Sequence, residues 1–116
     1  MPDLQAIASL FPLPGPVEIP AMPNGRPLSF RVTNWQEGTV TIHPRATGQA
    51  KVIRALRVWI ERVDRPAHVA YYDLLPGQII DAILPFLREP STARSVFTIT
   101  AWGYSVRRTW TIGVAP

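Results

Sequence analysis

The residues from Ser95 to Val114 constrain the fold more than any others in the chain. They are rich in β-branched and aromatic side chains and contain no proline, a composition suited to strands that pack on a pleated surface. Up to Gly103 the larger apolar residues fall at odd positions (Phe97, Ile99, Ala101), and after it at even ones (Val106, Trp110, Ile112, Val114). Side chains along an unbroken strand alternate strictly between faces, so this change of parity requires a turn or a bulge. A two-residue loop at Gly103-Tyr104 satisfies it, with glycine first as a type II′ hairpin prefers. That register sets Ala101 opposite Val106, Thr98 opposite Thr109 and Phe97 opposite Trp110. It leaves one mismatch, Ile99 against Arg108.

A chain of 116 residues suits one domain that buries its core without staples. The absence of cysteine excludes a disulfide framework, a thiolate metal site and a cysteine nucleophile. The net charge is +4, but only Arg107 and Arg108 are adjacent among the arginines. The charge therefore reads as ordinary surface charge, and nucleic acid is a disfavoured partner. No run approaches the roughly 20 apolar residues of a membrane span, and the start Met1-Pro2-Asp3 lacks the basic region of a signal peptide. The expected location is a virion or the cytoplasm, or outside the cell if Met1 stands in for a removed leader.

Residues 1 to 27 differ from the rest. Asp3 to Leu10 suits one or two helical turns, and Pro12, Pro14, Pro16, Pro20, Pro23 and Pro27 then follow in close succession, removing backbone donors and favouring an extended path. Two readings stay open. In one, an edge strand near Val17 to Ile19 belongs to a segment lying across the domain. In the other, Leu10, Phe11 and Leu13 form an apolar arm that clasps a neighbouring copy or partner, since a free arm would leave them wet.

Alternation predicts a strand over Leu28 to Asn34, a turn from Asn34 to Gly38, and a second strand over Thr39 to His43. Val52 to Val63 is the longest β-like run, with Val52, Leu56, Val58 and Ile60 facing the core and Arg57, Trp59 and Glu61 facing outward. A short strand is expected over Ala67 to Tyr72. Leu74 to Leu87 is ambiguous from its pattern. Ile79, Ile80, Ile83, Leu84 and Leu87 have helical spacing, whereas Ile80, Ala82, Leu84 and Phe86 would form one face of a strand.

The order of these features resembles a known group. A strand ending in Val32-Thr33-Asn34, the run Leu75-Pro76-Gly77-Gln78 before an apolar segment, and the terminal pair Phe97 to Gly103 and Thr109 to Gly113 are similar to bacterial and viral immunoglobulin-like sandwiches of the fibronectin type III, CARDB and NEW3-like kind. The resemblance covers about Leu28 to Val114 and implies that Gln78 to Leu84 is a strand. The fold expected is all-β: an immunoglobulin-like antiparallel β-sandwich of about seven strands over residues 28–116, with a proline-rich N-terminal arm over residues 1–27. Such folds host many functions, so the likeness assigns none.

The residues carry little chemistry. His43 and His68 read as structural or surface residues, and no metal-binding, phosphate-loop or nucleophile-elbow pattern occurs. The eight carboxylates are dispersed. The expectation is a non-enzymatic module without cofactor or metal, most concretely a small virion component such as a capsid decoration or tail protein, whose partners are copies of itself or other assembly proteins. A second class of partner is carbohydrate, bound by a secreted or adhesive module. The candidate binding residues are Trp59, Trp102, Arg57 and Tyr72 on the sandwich surface and Leu10, Phe11 and Leu13 on the arm. Exposed tryptophan beside arginine suits a sugar ring or a protein hot spot. A slip of one residue in the strand parity would instead bury both tryptophans.

Overall fold

The computed structural model describes residues 10–64, 69–104 and 107–116. The expected turns of helix before Leu10, together with His68 and Val106, lie outside these residues. The chain folds as β1 (Leu28–Ile42), β2 (Lys51–Arg62), β3 (Tyr71–Leu74), α1 (Gly77–Arg88), β4 (Val96–Trp102) and β5 (Thr109–Ala115). All neighbouring strands are antiparallel, in the order β3-β2-β1-β4-β5. The first three strands form a meander, and α1 carries the chain from the edge strand β3 back to β4, on the free side of β1.

The protein is thus mostly β, as expected. Among the described residues, however, there are five strands in one sheet instead of about seven in two, and α1 is the layer that covers the sheet. Helix wins over strand at Gly77–Arg88 because the apolar residues outnumber one strand face. A strand would have buried Ile80, Ala82, Leu84 and Phe86 and left Ile79, Ile83 and Leu87 on water. The helix buries Ile79, Ile80, Ile83, Leu84 and Leu87 along one stripe. Pro76 occupies its N-cap, and Pro85, which cannot donate within the helix, lies on its exposed side. Beyond the last turn, the Thr92 hydroxyl donates to the Phe86 carbonyl at 2.8 Å, satisfying one of the carbonyls that a helix end leaves free.

The stripe packs against Leu28, Phe30, Val32, Leu56, Val58, Tyr72, Leu74, Phe97 and Ile99. This is the helix face of the sheet. Arg54 ties helix and sheet together at the rim, reaching Glu37 at 3.0 Å and Asp81 at 2.9 Å, while Arg88 meets the other Glu37 oxygen at 3.3 Å. Burial opposes the charge of Arg54, but hydrogen bonds to Asp81 and Glu37 outweigh it and hold the guanidinium above its ordinary range.

β1 corrects the sequence expectation in a useful way. The turn predicted at Asn34 to Gly38 is absent, and the strand runs unbroken for 15 residues. A bulge, where the pairing with β2 shifts between Val32 and Asn34, instead changes the face that even-numbered residues take. Before the bulge, even-numbered residues face the helix. After it, Val40 and Ile42 face the other way and join Leu13, Val17, Ile53, Ala55 and Leu75 in a second cluster.

The terminal hairpin exists, but with a longer loop from Gly103 to Arg108. Its register pairs Ala101 with Trp110, Ile99 with Ile112 and Phe97 with Val114, replacing the pairs expected from a two-residue loop. Any loop with an even number of residues keeps the parity change. The longer one takes Arg108 out of the ladder and gives Ile99 an apolar partner, which removes the mismatch. Gly103 still serves the turn, at φ +82.

Residues Phe11 to Glu18 lie on the sheet's second face as a strap. The Leu13 amide donates to the Thr39 carbonyl at 2.8 Å, and the Thr39 amide donates to the Phe11 carbonyl at 3.0 Å. Gly38 makes this approach feasible, since a Cβ there would lie 2.6 Å from both the Leu13 side chain and the Phe11 carbonyl oxygen. The Gly38→Ala variant should therefore lose about 1–3 kcal/mol and release the strap. Thermal unfolding together with limited proteolysis near residues 11–18 would check this; an unchanged Tm and cleavage pattern would refute it.

Candidate functional site

The residues singled out by sequence do not converge on one surface. Leu13 is buried against its own sheet, so it is not a free clasp for a neighbour. Leu10 is half-buried, and Phe11 alone of the three is largely exposed, at 77%. Tyr72 points to the helix face, where it is 7% exposed and meets the Phe30 ring edge-on at 6.3 Å. Val69 and Tyr72 both pack against this core, so the strict alternation expected up to Tyr72 does not run through Val69 into β3.

Trp59 and Trp102 both have the outward parity predicted for them, yet they stand far apart. Trp59 is opposite Asn34 of β1, whereas Leu28 is opposite Ile99, which puts Trp102 beyond the start of β1. At about 3.3 Å per residue the two are separated by roughly 25 Å along the strands. Trp59 is half-buried beside Tyr71, with ring centroids 6.1 Å apart. Trp102 is 46% exposed, and its indole N–H donates to Thr111 Oγ1 at 2.9 Å. Together with buried Tyr72, they do not make the shared aromatic platform expected for a sugar.

Arg57 has the outward parity too, but its face is covered by the strap, and the residue is 1% exposed. Asp73, on the neighbouring strand and directly opposite in register, receives two bonds from the guanidinium, at 2.8 Å and 3.1 Å. Other guanidinium N–H groups donate to the Pro14 carbonyl and, at 3.5 Å, to the Pro16 carbonyl. The cation also sits over the Tyr71 ring, 4.1 Å from its centroid, and the Tyr71 hydroxyl donates to the same Pro16 carbonyl at 2.6 Å. Hydrogen bonding to Asp73 holds the Arg57 guanidinium above its ordinary range against the opposing effect of burial. The pair is thus an anchor for the strap and not a surface for a ligand. Asp73 was overlooked in the sequence, although a carboxylate inside the apolar run Tyr71 to Leu75 signals a buried partner.

The strap also closes one edge of the sheet. The outward amide of Asp73 on β3 donates to the Glu18 carbonyl at 2.7 Å, and the Glu18 amide donates to the Asp73 carboxylate at 3.1 Å. At the opposite edge, β5 has β4 on one side and, among the described residues, no strand on the other. Among the described residues, no backbone hydrogen bond outside the sheet reaches residues 109–115. This edge strand carries no charge and no proline, the features that ordinarily blunt an open edge. Its helix-face residues Trp110, Ile112 and Val114 are half-buried against the core, and Thr109, Thr111, Gly113 and Ala115 are exposed on the other face. The sequence placed Trp110 and Ile112 in a hairpin correctly; it did not show which member of that hairpin would be the outer strand.

One shallow groove of about 260 Å³ lies between the strap at Pro12, Leu13 and Val17 and the sheet at Thr39, Val40 and Val52, with no charged side chain in its lining. Among the described residues there is no group of three or more His, Cys, Asp or Glu side chains placed to hold a metal ion, and no helix long and apolar enough to cross a membrane. Arg31, Arg54, Arg57, Arg88 and Arg108 are each bonded to groups of their own chain, which spreads the positive charge over internal contacts. No protein-family model, curated protein or solved structure matches the chain.

Removing the Arg57 side chain should be severe, because it leaves the Asp73 carboxylate buried without its cation. Arg57→Ala is expected to cost about 3–5 kcal/mol, while the double variant Arg57→Met with Asp73→Leu should recover a substantial part of that loss. Urea unfolding of the wild type and the two variants compares the losses. A double variant as unstable as Arg57→Ala would refute the explanation by an unpaired buried carboxylate.

Proposed function

We propose that the protein is a non-enzymatic interaction module that docks another chain by adding a strand to the free edge of β5. The observation that carries this reading is the difference between the two sheet edges: the strap takes up the outward Asp73 amide of β3, whereas β5 has no charge or proline and, among the described residues, no backbone cover. An open edge presents a row of donors and acceptors in a fixed spacing, and an extended segment satisfies them by continuing the ladder. The half-buried row Trp110, Ile112 and Val114 adds apolar contacts on one face of such a segment. The assembly role expected from the sequence is kept, but its contact runs through β5 and not through residues 10–13. A small virion component is one setting for a module of this kind.

Immobilised seven-residue peptides that differ in charge and β-propensity provide the test. Uncharged, β-branched peptides should retain the protein, and amide exchange at residues 109–115 should slow on binding. Binding that protects the groove beside Phe11 while residues 109–115 exchange freely would overturn the proposal.

A further inference from the structure

We infer that the strand which completes the sheet is β5 of a second copy of this chain, arranged antiparallel about a two-fold axis at Ile112. The inference rests on the strand-addition reading and names its partner. Side chains directly opposite one another across a ladder must lie on the same face of the sheet. For two copies of one strand this requires opposed residue numbers with an even sum. Of the registers that meet this condition, the one centred on Ile112 pairs all residues of Thr109–Ala115.

β5 is self-complementary in that register. Trp110 lies opposite Val114 of the second copy, and Thr111 opposite Gly113, so a larger side chain meets a smaller one on each face. Thr109 lies opposite Ala115, and Ile112 meets its own counterpart. No like charges oppose one another, because the strand has none; this matters for a chain with a net charge of +4. The helix faces of both copies then run together. Each contributes its half-buried Trp110, Ile112 and Val114, flanked by the exposed Phe86, whose ring meets Phe97, the partner of Val114 in the ladder. The pairing supplies about six to eight backbone hydrogen bonds, depending on which alternate pairs are bonded.

The chain has no cysteine, so single introduced cysteines report the register directly. Sedimentation equilibrium of the full chain should show a mass that rises with concentration from 12.9 kDa toward twice that value. Under mild oxidation Ile112→Cys should cross-link readily, since an antiparallel residue facing its own copy lies within disulfide reach. Thr109→Cys, which faces Ala115 of the second copy, should not. Gly113→Lys keeps the fold, because a Cβ there meets only the Thr98 side chain at 3.9 Å. It should weaken the dimer about tenfold or more by placing a charge in the ladder, and an equimolar mixture of Gly113→Lys and Gly113→Glu should restore association.

A protein that stays monomeric into the millimolar range, or that cross-links equally well through Thr109→Cys, overturns the inference. If the monomeric chain still binds uncharged peptides along residues 109–115, the second copy is wrong and strand addition stands. If it binds none, both readings fail.

Discussion

Arg57 and Asp73 face each other on adjacent strands, and their contact holds together parts of the chain that are distant in sequence. The bidentate pair joins β2 to β3. The remaining guanidinium donors reach the carbonyls of Pro14 and Pro16, in a segment where proline has removed many backbone donors but left every acceptor. A chain of this composition cannot form a strand of its own, but it can be held by an arginine that has donors to spare. The ion pair and the proline-rich strap are therefore complementary. Each satisfies groups that would be costly to bury without the other.

From that anchor follows the different treatment of the two edges. Because the strap is pinned at Pro14 and Pro16, Glu18 comes to lie along β3 and takes up its outward amide. The second cluster of Leu13, Val40 and Ala55 is sealed by the same placement. Among the described residues, no comparable segment reaches β5. Met22 and Asn24 pass near the other end of the molecule, where the Met22 carbonyl accepts from Arg108, the Asn24 side chain accepts from the Gly103 amide, and the Gly25 amide donates to the Ala101 carbonyl. These contacts steady the hairpin loop and the end of β4, and none of them reaches the outer side of β5.

Much of the sheet could be read from alternation alone. The parity of β4 and β5, the inward residues Leu56 and Val58, and the outward parity of Arg57, Trp59 and Trp102 all follow from the period of two. What alternation could not supply was the state of the outward face. Arg57 and Trp102 look equivalent by that rule, yet one is beneath the strap and the other is in water, and the difference depends on contacts made from residues 14–16. The break in alternation near Asn34 has two physical solutions, a turn or a bulge, and only the pairing partner decides between them. The segment at Gly77–Arg88 was undecided for another reason. Its apolar residues satisfy both periods in part, and the count of side chains that each leaves exposed favours the helix once a sheet is available to cover them. The open edge was least legible, because strand order is a property of the assembled sheet and not of any one strand.

The bulge in β1 makes a single strand serve two cores. Leu28, Phe30 and Val32 fill the space under the helix, and Val40 and Ile42 fill the space under the strap. The extra residue at Thr33 is the only offset between these two sets. An in-frame loss of that one codon would restore a regular ladder, with Val32 opposite Ile60 followed directly by Asn34 opposite Trp59, and leave Val40 and Ile42 on the strap side. The bulge is thus what lets even-numbered residues at the two ends of one strand fill opposite faces of the sheet.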